Sequence, residues 1–353
     1  MHQKLTLLIF FFSATVLLAQ TAPPVINGID RFTKAHCSTY GIPGASLAVI
    51  KDGKIIHQNH YGFANLPHEV PAGAQTVYRV YSLTKLIVSV GIFKLVEEGK
   101  LTLEAPIGQY LGDLPKAWRN IKVAQLLAHA SGLPDMVGNG PYELQELTNQ
   151  EAQDRVYNMP LRHPAGIKFE YNQTNYWLLK RIIETQSGRT LAAYIAEHQF
   201  PDLSRKTPLF THDSRDIVKH RATPYFPFLK GTVTTDLPYA GGDYTQASNG
   251  LQLTLEDFVS WHQKFAANKL VSRAMKDKMW TPYPYSETDD QFGYSWDIIS
   301  QGEGKAYGFS GSMCTMYRTY PSTGITVIFL SNGFNSFYNL GNTINRIAEI
   351  AME

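Results

Sequence analysis

Cysteine is scarce in this chain and its charges nearly cancel, and both features limit what the protein can be. The 353 residues include two cysteines, Cys37 and Cys314. An exported chain can pair its cysteines, but these two lie far apart and in no metal-ligand spacing, so we predict two buried thiols and no zinc site. The formal net charge of +2 supplies no strongly basic surface, so no nucleic-acid partner is expected.

Long apolar stretches are also missing after the N-terminus. The first 20 residues contain a positive Lys4 and a compact apolar run, 5–18, which is too short to span a bilayer comfortably. The pattern predicts a signal peptide over 1–19, cleaved near Ala19 or Gln20. We therefore expect an exported protein, periplasmic or secreted, with no stable membrane anchor after cleavage. An uncleaved anchor is the alternative.

The stretch 80–99 organises the rest of the chain. Its apolar run predicts a buried helix that ends at Gly99, a residue suited to the left-handed position after a helix. Ser82 lies near the helix start and Lys85 three residues later, so their side chains share one face. A buried lysine at the positive end of a helix has a lowered pKa and can take a serine proton. A chance pair on an ordinary surface helix is the alternative interpretation.

Predicted strands lie at both ends of the chain, and helices fill the middle. The predicted strands cover 45–50, 55–61, 294–299, 306–310, 313–320 and 325–331. The predicted helices cover 25–40, 123–129, 145–158, 177–185, 191–198, 255–267, 273–279 and 342–352. We therefore predict one catalytic domain over 20–353 with an α+β fold. Its antiparallel sheet with flanking helices takes about 24–66 and 290–353, and an inserted helical part takes about 67–289.

The stretch 201–246 is rich in proline and aromatic residues and shows no clear period. Loops of this length in a compact domain are often functional. Tyr225, Phe226 and Phe228 either line a pocket or fix the loop to the surface, and the sequence leaves both interpretations open.

Two further stretches bear on Ser82. Tyr171 stands in a polar turn before a helix, where a tyrosine near an ammonium can exchange protons with a serine. Gln173 can hydrogen-bond a substrate amide. The edge 308–312 can place a second oxyanion amide, that of Ser312, opposite the Ser82 amide. The plain alternatives are a tyrosine at a helix cap and a glycine that allows close packing.

In combination these stretches resemble the serine beta-lactamase and penicillin-binding protein superfamily, in its class C-like branch. Ser-Leu-Thr-Lys at 82–85 is similar to the first signature of that superfamily, and the blocks 41–46, 76–81, 126–133 and 292–296 also match. The resemblance implies a beta-lactamase/transpeptidase-like fold with the site between sheet and helical part. It implies that Ser82, Lys85 and Tyr171 are catalytic, through a serine that is acylated beside a lysine, and that His129 is structural.

Two positions depart from the pattern of that superfamily. Gln173 stands where the second signature has Asn, and it keeps the amide with a longer reach. Phe309 stands where the third signature has a cation that helps to hold a substrate carboxylate. The loss of one charged hydrogen bond costs about 1.5–3 kcal/mol, roughly a tenfold to hundredfold loss. We expect substrate binding by Gln173, Phe309, Ser310, Gly311 and Ser312.

The sequence thus predicts a secreted serine hydrolase that forms an acyl-enzyme with a neutral ester or amide. Its substrate is a small molecule or a peptide, and neither a metal nor an organic cofactor is expected. A beta-lactamase or D,D-carboxypeptidase is one alternative, and a penicillin-binding-like sensor that does not turn over is another.

Overall fold

The computed structural model describes residues 23–137, 147–203, 209–212, 216–229, 232–235, 242–301, 304–312, 314–334 and 339–353. The predicted signal peptide lies outside these residues. The helices are α1 (Pro23–Tyr40), α2 (Thr84–Glu97), α3 (Val123–Leu127), α4 (Asn149–Tyr157), α5 (Thr174–Ser187), α6 (Leu191–Gln199), α7 (Gln246–Asn249), α8 (Leu255–Ala266), α9 (Arg273–Met279) and α10 (Leu340–Met352). The strands are β1 (Gly44–Lys51), β2 (Lys54–Asn65), β3 (Val70–Pro71), β4 (Tyr78–Arg79), β5 (Tyr225–Leu229), β6 (Thr232–Thr235), β7 (Gln252–Leu253), β8 (Asp297–Gln301), β9 (Gly304–Gly311), β10 (Thr315–Tyr320) and β11 (Ile325–Ser331). Within the described ranges, no helix is both long and apolar enough to cross a membrane.

Strands from both ends of the chain form one antiparallel sheet, which confirms the predicted α+β class. The strand order is β3-β2-β1-β11-β10-β9-β8, so β1 and β11 meet in the middle although they come from opposite ends of the sequence. β11 is buried along its whole length. Such a strand reads as a continuous apolar run, because both faces of the sheet are covered.

The sheet separates two hydrophobic clusters, and alternate residues of one strand belong to different ones. In β11, Val327 and Phe329 pack with α1 and α10, whereas Ile328 and Leu330 pack with α2, α5 and α8. This follows from the two-residue period of a strand. Cys37 lies in the α1–α10 cluster. Cys314 lies in a smaller group with Tyr81 and Phe334, so the two buried thiols are apart, as predicted.

Helix α2 is buried on nearly every side, which explains why its sequence carries no apolar stripe. Helices α5, α6 and α7 pack around it. It ends at Glu97, and Gly99 takes the predicted left-handed conformation with φ +70°. Ser82 lies in the short 3-10 turn Tyr81–Leu83 directly before α2.

The structure corrects the predicted boundaries where local hydrogen bonds decide them. Helix α4 begins at Asn149, because Thr148 caps it by accepting from the Glu151 amide, and residues 145 and 146 of the predicted helix lie outside the described residues. Helix α5 begins at Thr174 and not at 177, since the Tyr176 and Trp177 amides already donate to the Gln173 carbonyl. The strand predicted over 294–299 covers Asp297–Gln301.

The stretch predicted as a long loop contains a hairpin, β5 and β6. Tyr225 is buried, and its hydroxyl accepts from the Leu66 amide at 2.8 Å. The ring of Phe226 stacks on Phe334 with centroids 4.5 Å apart. These contacts fix the segment to the body of the protein. The side chain of Phe228 lies outside the described residues.

Candidate active site

A strained turn between β4 and α2 presents Ser82. The residue before it, Tyr81, has φ +48°, a conformation that L-residues seldom adopt. The neighbouring Val80 is held on both sides, because its amide donates to the Leu251 carbonyl at 3.0 Å and its carbonyl accepts from the Thr315 hydroxyl at 3.1 Å. Such strain persists only where the surroundings over-determine it, and it clusters at functional sites.

The end of β9 lies directly against this turn. A Cβ atom on Gly311 would stand 2.2 Å from the Val80 carbonyl oxygen and 3.2 Å from the Ser82 nitrogen, so the approach requires glycine. Ser312 follows one residue later and is exposed, with φ +44°. The edge predicted to serve the oxyanion therefore runs beside the Ser82 amide.

Among the described residues, the Ser82 hydroxyl has three polar contacts. The Tyr171 hydroxyl donates to Ser82 Oγ at 2.7 Å, and Lys85 Nζ donates to it at 3.3 Å. Ser82 Oγ itself donates to Asn249 Oδ1 at 3.2 Å. The three residues predicted to be catalytic thus lie together, with Asn249 as a fourth.

The amine of Lys85 is fully buried. Nζ also donates to Gln173 Oε1 and to the Ser248 carbonyl, each at 2.9 Å. Burial lowers the pKa of Lys85 well below its ordinary value, because desolvation disfavours the ammonium, and the charge of Asp135 offsets part of this effect. The geometry therefore brings Gln173 to Lys85.

Asp135 is a half-buried carboxylate near Lys85 that the sequence did not single out. Burial raises its pKa. Its oxygens accept from the Gln173 amide at 3.1 Å and the Val137 amide at 3.0 Å, and these bonds and the Lys85 charge act in the opposite direction. It therefore fixes the backbone of Gln173 and favours the charged form of Lys85.

His129 is buried against the site but does not reach Ser82. Its Nδ1 accepts from the Asn172 amide at 3.0 Å, which fixes the segment that carries Tyr171. The centroid of its ring lies 4.6 Å from the centroid of the Tyr171 ring. Burial lowers the pKa of His129, and the charge of Lys85 adds to the effect. These contacts agree with a structural role.

Phe309 and Ser310 point to opposite faces of the sheet. The Phe309 ring is buried, with its centroid 6.1 Å from that of Tyr171 and 5.9 Å from that of Phe292. Ser310 pairs with Met316, whose side chain belongs to the α1–α10 cluster. The side chain of Ser310 therefore faces away from Ser82, so the hydroxyl is not placed for the predicted substrate contact.

Asn249 and Ser248 are site residues that the sequence reasoning missed. They lie on α7, a one-turn helix. The antiparallel pairing of β4 with β7 brings α7 beside Ser82. No motif spacing links these parts of the chain. Within the described ranges, no three His, Cys, Asp or Glu side chains converge in a way that could hold a metal ion.

Comparisons with known proteins identify the family and the fold. A family model described as Beta-lactamase matches residues 29–350. Protein flp of Staphylococcus aureus (strain MW2) is 30% identical over 207 residues, which cover 56% of this chain and 40% of that protein. The match spans less than half the length of the curated relatives matched first.

Two solved structures share the fold. The D-amino acid amidase of Ochrobactrum anthropi SV3 matches with a TM-score of 0.76 at 22% identity, over 93% of this chain and 98% of its own. EstCE1, described as a hydrolase with promiscuous acyltransferase activity, matches with a TM-score of 0.77 at 17% identity, over 93% and 99%. These likenesses show the predicted beta-lactamase/transpeptidase-like fold. Since the family model spans most of the sequence, this chain belongs to the beta-lactamase family of serine hydrolases.

Proposed function

We propose that the protein hydrolyses an ester or amide through an acyl-enzyme, with Ser82 as the nucleophile and Lys85 as its base. The proposal rests on the position of the fully buried Lys85 amine, 3.3 Å from the hydroxyl of the half-buried Ser82. An uncharged amine has two hydrogens and one lone pair. Gln173 Oε1 and the Ser248 carbonyl can only accept. The lone pair is therefore left for the hydrogen of Ser82.

The reaction then follows from these contacts. Ser82 Oγ attacks the carbonyl carbon while its proton passes to Lys85 Nζ. The Tyr171 hydroxyl, 2.7 Å from Ser82 Oγ, helps to return a proton to the leaving group. The amides of Ser82 and Ser312 stabilise the oxyanion, usually a large contribution to catalysis. Water then releases the acyl group and regenerates the hydroxyl.

The substrate we favour is neutral. Phe309 sits beside Tyr171 and offers no charge to a carboxylate. The names of the amidase and of EstCE1 support an amide or ester for this chain as well. A beta-lactamase or D,D-carboxypeptidase activity ranks lower, since its substrates carry a free carboxylate. We also propose export, on the pattern of the first 20 residues alone.

A fluorophosphonate probe, which reacts with activated serines, tests this proposal. It should label the native protein and should not label Ser82→Ala, because labelling needs the activated hydroxyl. Ser300→Ala is the matched control, since Ser300 is exposed on β8, and it should be labelled normally. Equal labelling of Ser82→Ala and the native protein would remove Ser82 as the nucleophile.

A further inference from the structure

The amide of Asn249 contacts the nucleophile, yet the reaction above gives it no part. Ser82 Oγ donates to Asn249 Oδ1 at 3.2 Å. The preceding residue, Ser248, offers its carbonyl to Lys85 Nζ at 2.9 Å. Two consecutive residues of α7 therefore touch the nucleophile and its base.

The orientation of the Asn249 amide is fixed by its neighbour. Ser248 Oγ donates its one hydrogen to the Thr245 carbonyl at 2.9 Å, so it can only accept from Asn249 Nδ2, which lies 3.0 Å away. Oδ1 must then face Ser82. The backbone is held as well, because Arg79 Nε donates to the Asn249 carbonyl at 3.0 Å. Asn249 therefore presents an acceptor to Ser82.

When Lys85 is charged, every position around Ser82 Oγ is filled. An ammonium has three hydrogens, and Lys85 Nζ has three acceptors, one of which is Ser82 Oγ. Ser82 Oγ then accepts from Lys85 and from Tyr171, which occupies both of its lone pairs. Its own hydrogen can go only to Asn249.

When Lys85 is uncharged, the pattern reverses. The amine gives its two hydrogens to Gln173 and Ser248, and the Ser82 hydrogen turns toward the lone pair of Nζ. One lone pair of Ser82 Oγ becomes free to attack, and Asn249 Oδ1 no longer accepts from Ser82. The hydrogen bond from Ser82 to Asn249 thus belongs to the idle form of the site.

We propose that Asn249 stabilises this idle form by holding the Ser82 hydrogen whenever Lys85 is charged, and that it thereby sets the acidic limit of activity. The proposal rests on the roles proposed above for Ser82 and Lys85. It assigns Asn249 a position-specific function that is separate from support of the fold.

Other groups also face Lys85, and they stay constant in the test. Asp135 favours the ammonium through its charge, and His129 is close enough for the Lys85 charge to lower its pKa. The rings of Tyr171 and Tyr176 have their centroids 4.9 and 5.0 Å from Nζ. A change at Asn249 alone therefore isolates the acceptor.

The test is the pH dependence of kcat/KM on a p-nitrophenyl ester. The acidic limb is the part of the pH profile in which kcat/KM falls as Lys85 takes up a proton. Asn249→Leu is close in size and removes the acceptor that favours this charged form. The acidic limb should therefore move to lower pH by about one unit, the worth of one hydrogen bond. Asn249→Asp supplies a stronger, charged acceptor, so the limb should move to higher pH. Asn342→Asp adds the same charge at an exposed position of α10 and should leave the limb in place.

Opposite shifts in the two Asn249 variants support the proposal, whereas a merely structural role would lower kcat without moving the limb. An active Asn249→Leu with an unmoved limb would overturn it. If that variant does not fold, Ser248→Ala decides, because the loosened amide should give a smaller shift to lower pH and an unmoved limb would count against us. Activity that survives Ser82→Ala would overturn the proposed function instead, so the two failures are distinguishable.

Discussion

Ser46 and Ser82 each contact a basic side chain, and of these two serines only Ser82 lies where a substrate can reach it. Ser46 Oγ is 2.8 Å from His60 Nδ1, and His60 Nε2 is 3.4 Å from Glu256 Oε1. In outline this is a serine-histidine-carboxylate chain. Ser46, however, is 0% exposed, lies in the regular strand β1 and also bonds to the Tyr78 hydroxyl at 2.9 Å.

The Ser82 site differs from the Ser46 site in access and in backbone strain. Ser82 is half-buried, and the Tyr171 ring beside it is 38% exposed. Tyr81 stores backbone strain next to the nucleophile. Lys85 has a pKa that burial lowers strongly. The comparison teaches that hydrogen-bond connectivity alone does not make a site, since a reactive serine must also be accessible to a substrate.

The strongest test replaces each of the two serines with alanine in a separate variant. Ser82→Ala should lower kcat/KM by about 10⁴-fold or more, because the nucleophile is lost. Ser46→Ala should retain activity and lose about 1–3 kcal/mol of unfolding free energy, since Tyr78 and His60 lose a buried partner. Ester hydrolysis and urea unfolding measure the two effects. Loss of activity in Ser46→Ala with activity kept in Ser82→Ala would make the buried Ser46–His60–Glu256 group the functional one.

The second test concerns the base. The lowered pKa of Lys85 means that, between that value and the ordinary 10.5, the unfolded chain binds a proton that the folded chain does not. The unfolding free energy therefore rises with pH in this window, by up to about 1.4 kcal/mol per pH unit. Lys85→Met should flatten this slope in urea unfolding at about pH 8 to 10.

The control for that slope is Lys54→Met, at an exposed position of β2. It should leave the pH dependence unchanged. The comparison uses slopes only, because Lys85→Met also leaves the acceptors on Gln173 and Ser248 without a donor and so changes stability at every pH. Equal slopes in native protein and Lys85→Met would show that Lys85 stays charged in the fold.

Local patterns predicted most of the fold and the pairing of Ser82 with Lys85. Three-residue spacing placed Lys85 beside Ser82, and the apolar run 325–331 marked β11 at its observed bounds. The sequence does not predict Asn249 as a site residue, because 167 residues separate it from Ser82 and strand pairing brings the two together. The predicted substrate contact of Ser310 is wrong, because side chains alternate along a strand and that of Ser310 faces away from that of Phe309.

The remaining prediction concerns Phe309, the position at which the Ser82 site departs from the third signature of the superfamily. Phe309→Lys places an ammonium near Tyr171, where it can pair with a substrate carboxylate. The measurement is kcat/KM for a substrate with a free carboxylate divided by that for its methyl ester. This ratio should rise about tenfold to hundredfold. A ratio is needed because the new charge also acts on Lys85, and that effect is common to both substrates. Phe309→Met keeps an apolar side chain and should leave the ratio unchanged. An unchanged ratio in a folded Phe309→Lys would show that this position does not set the charge preference.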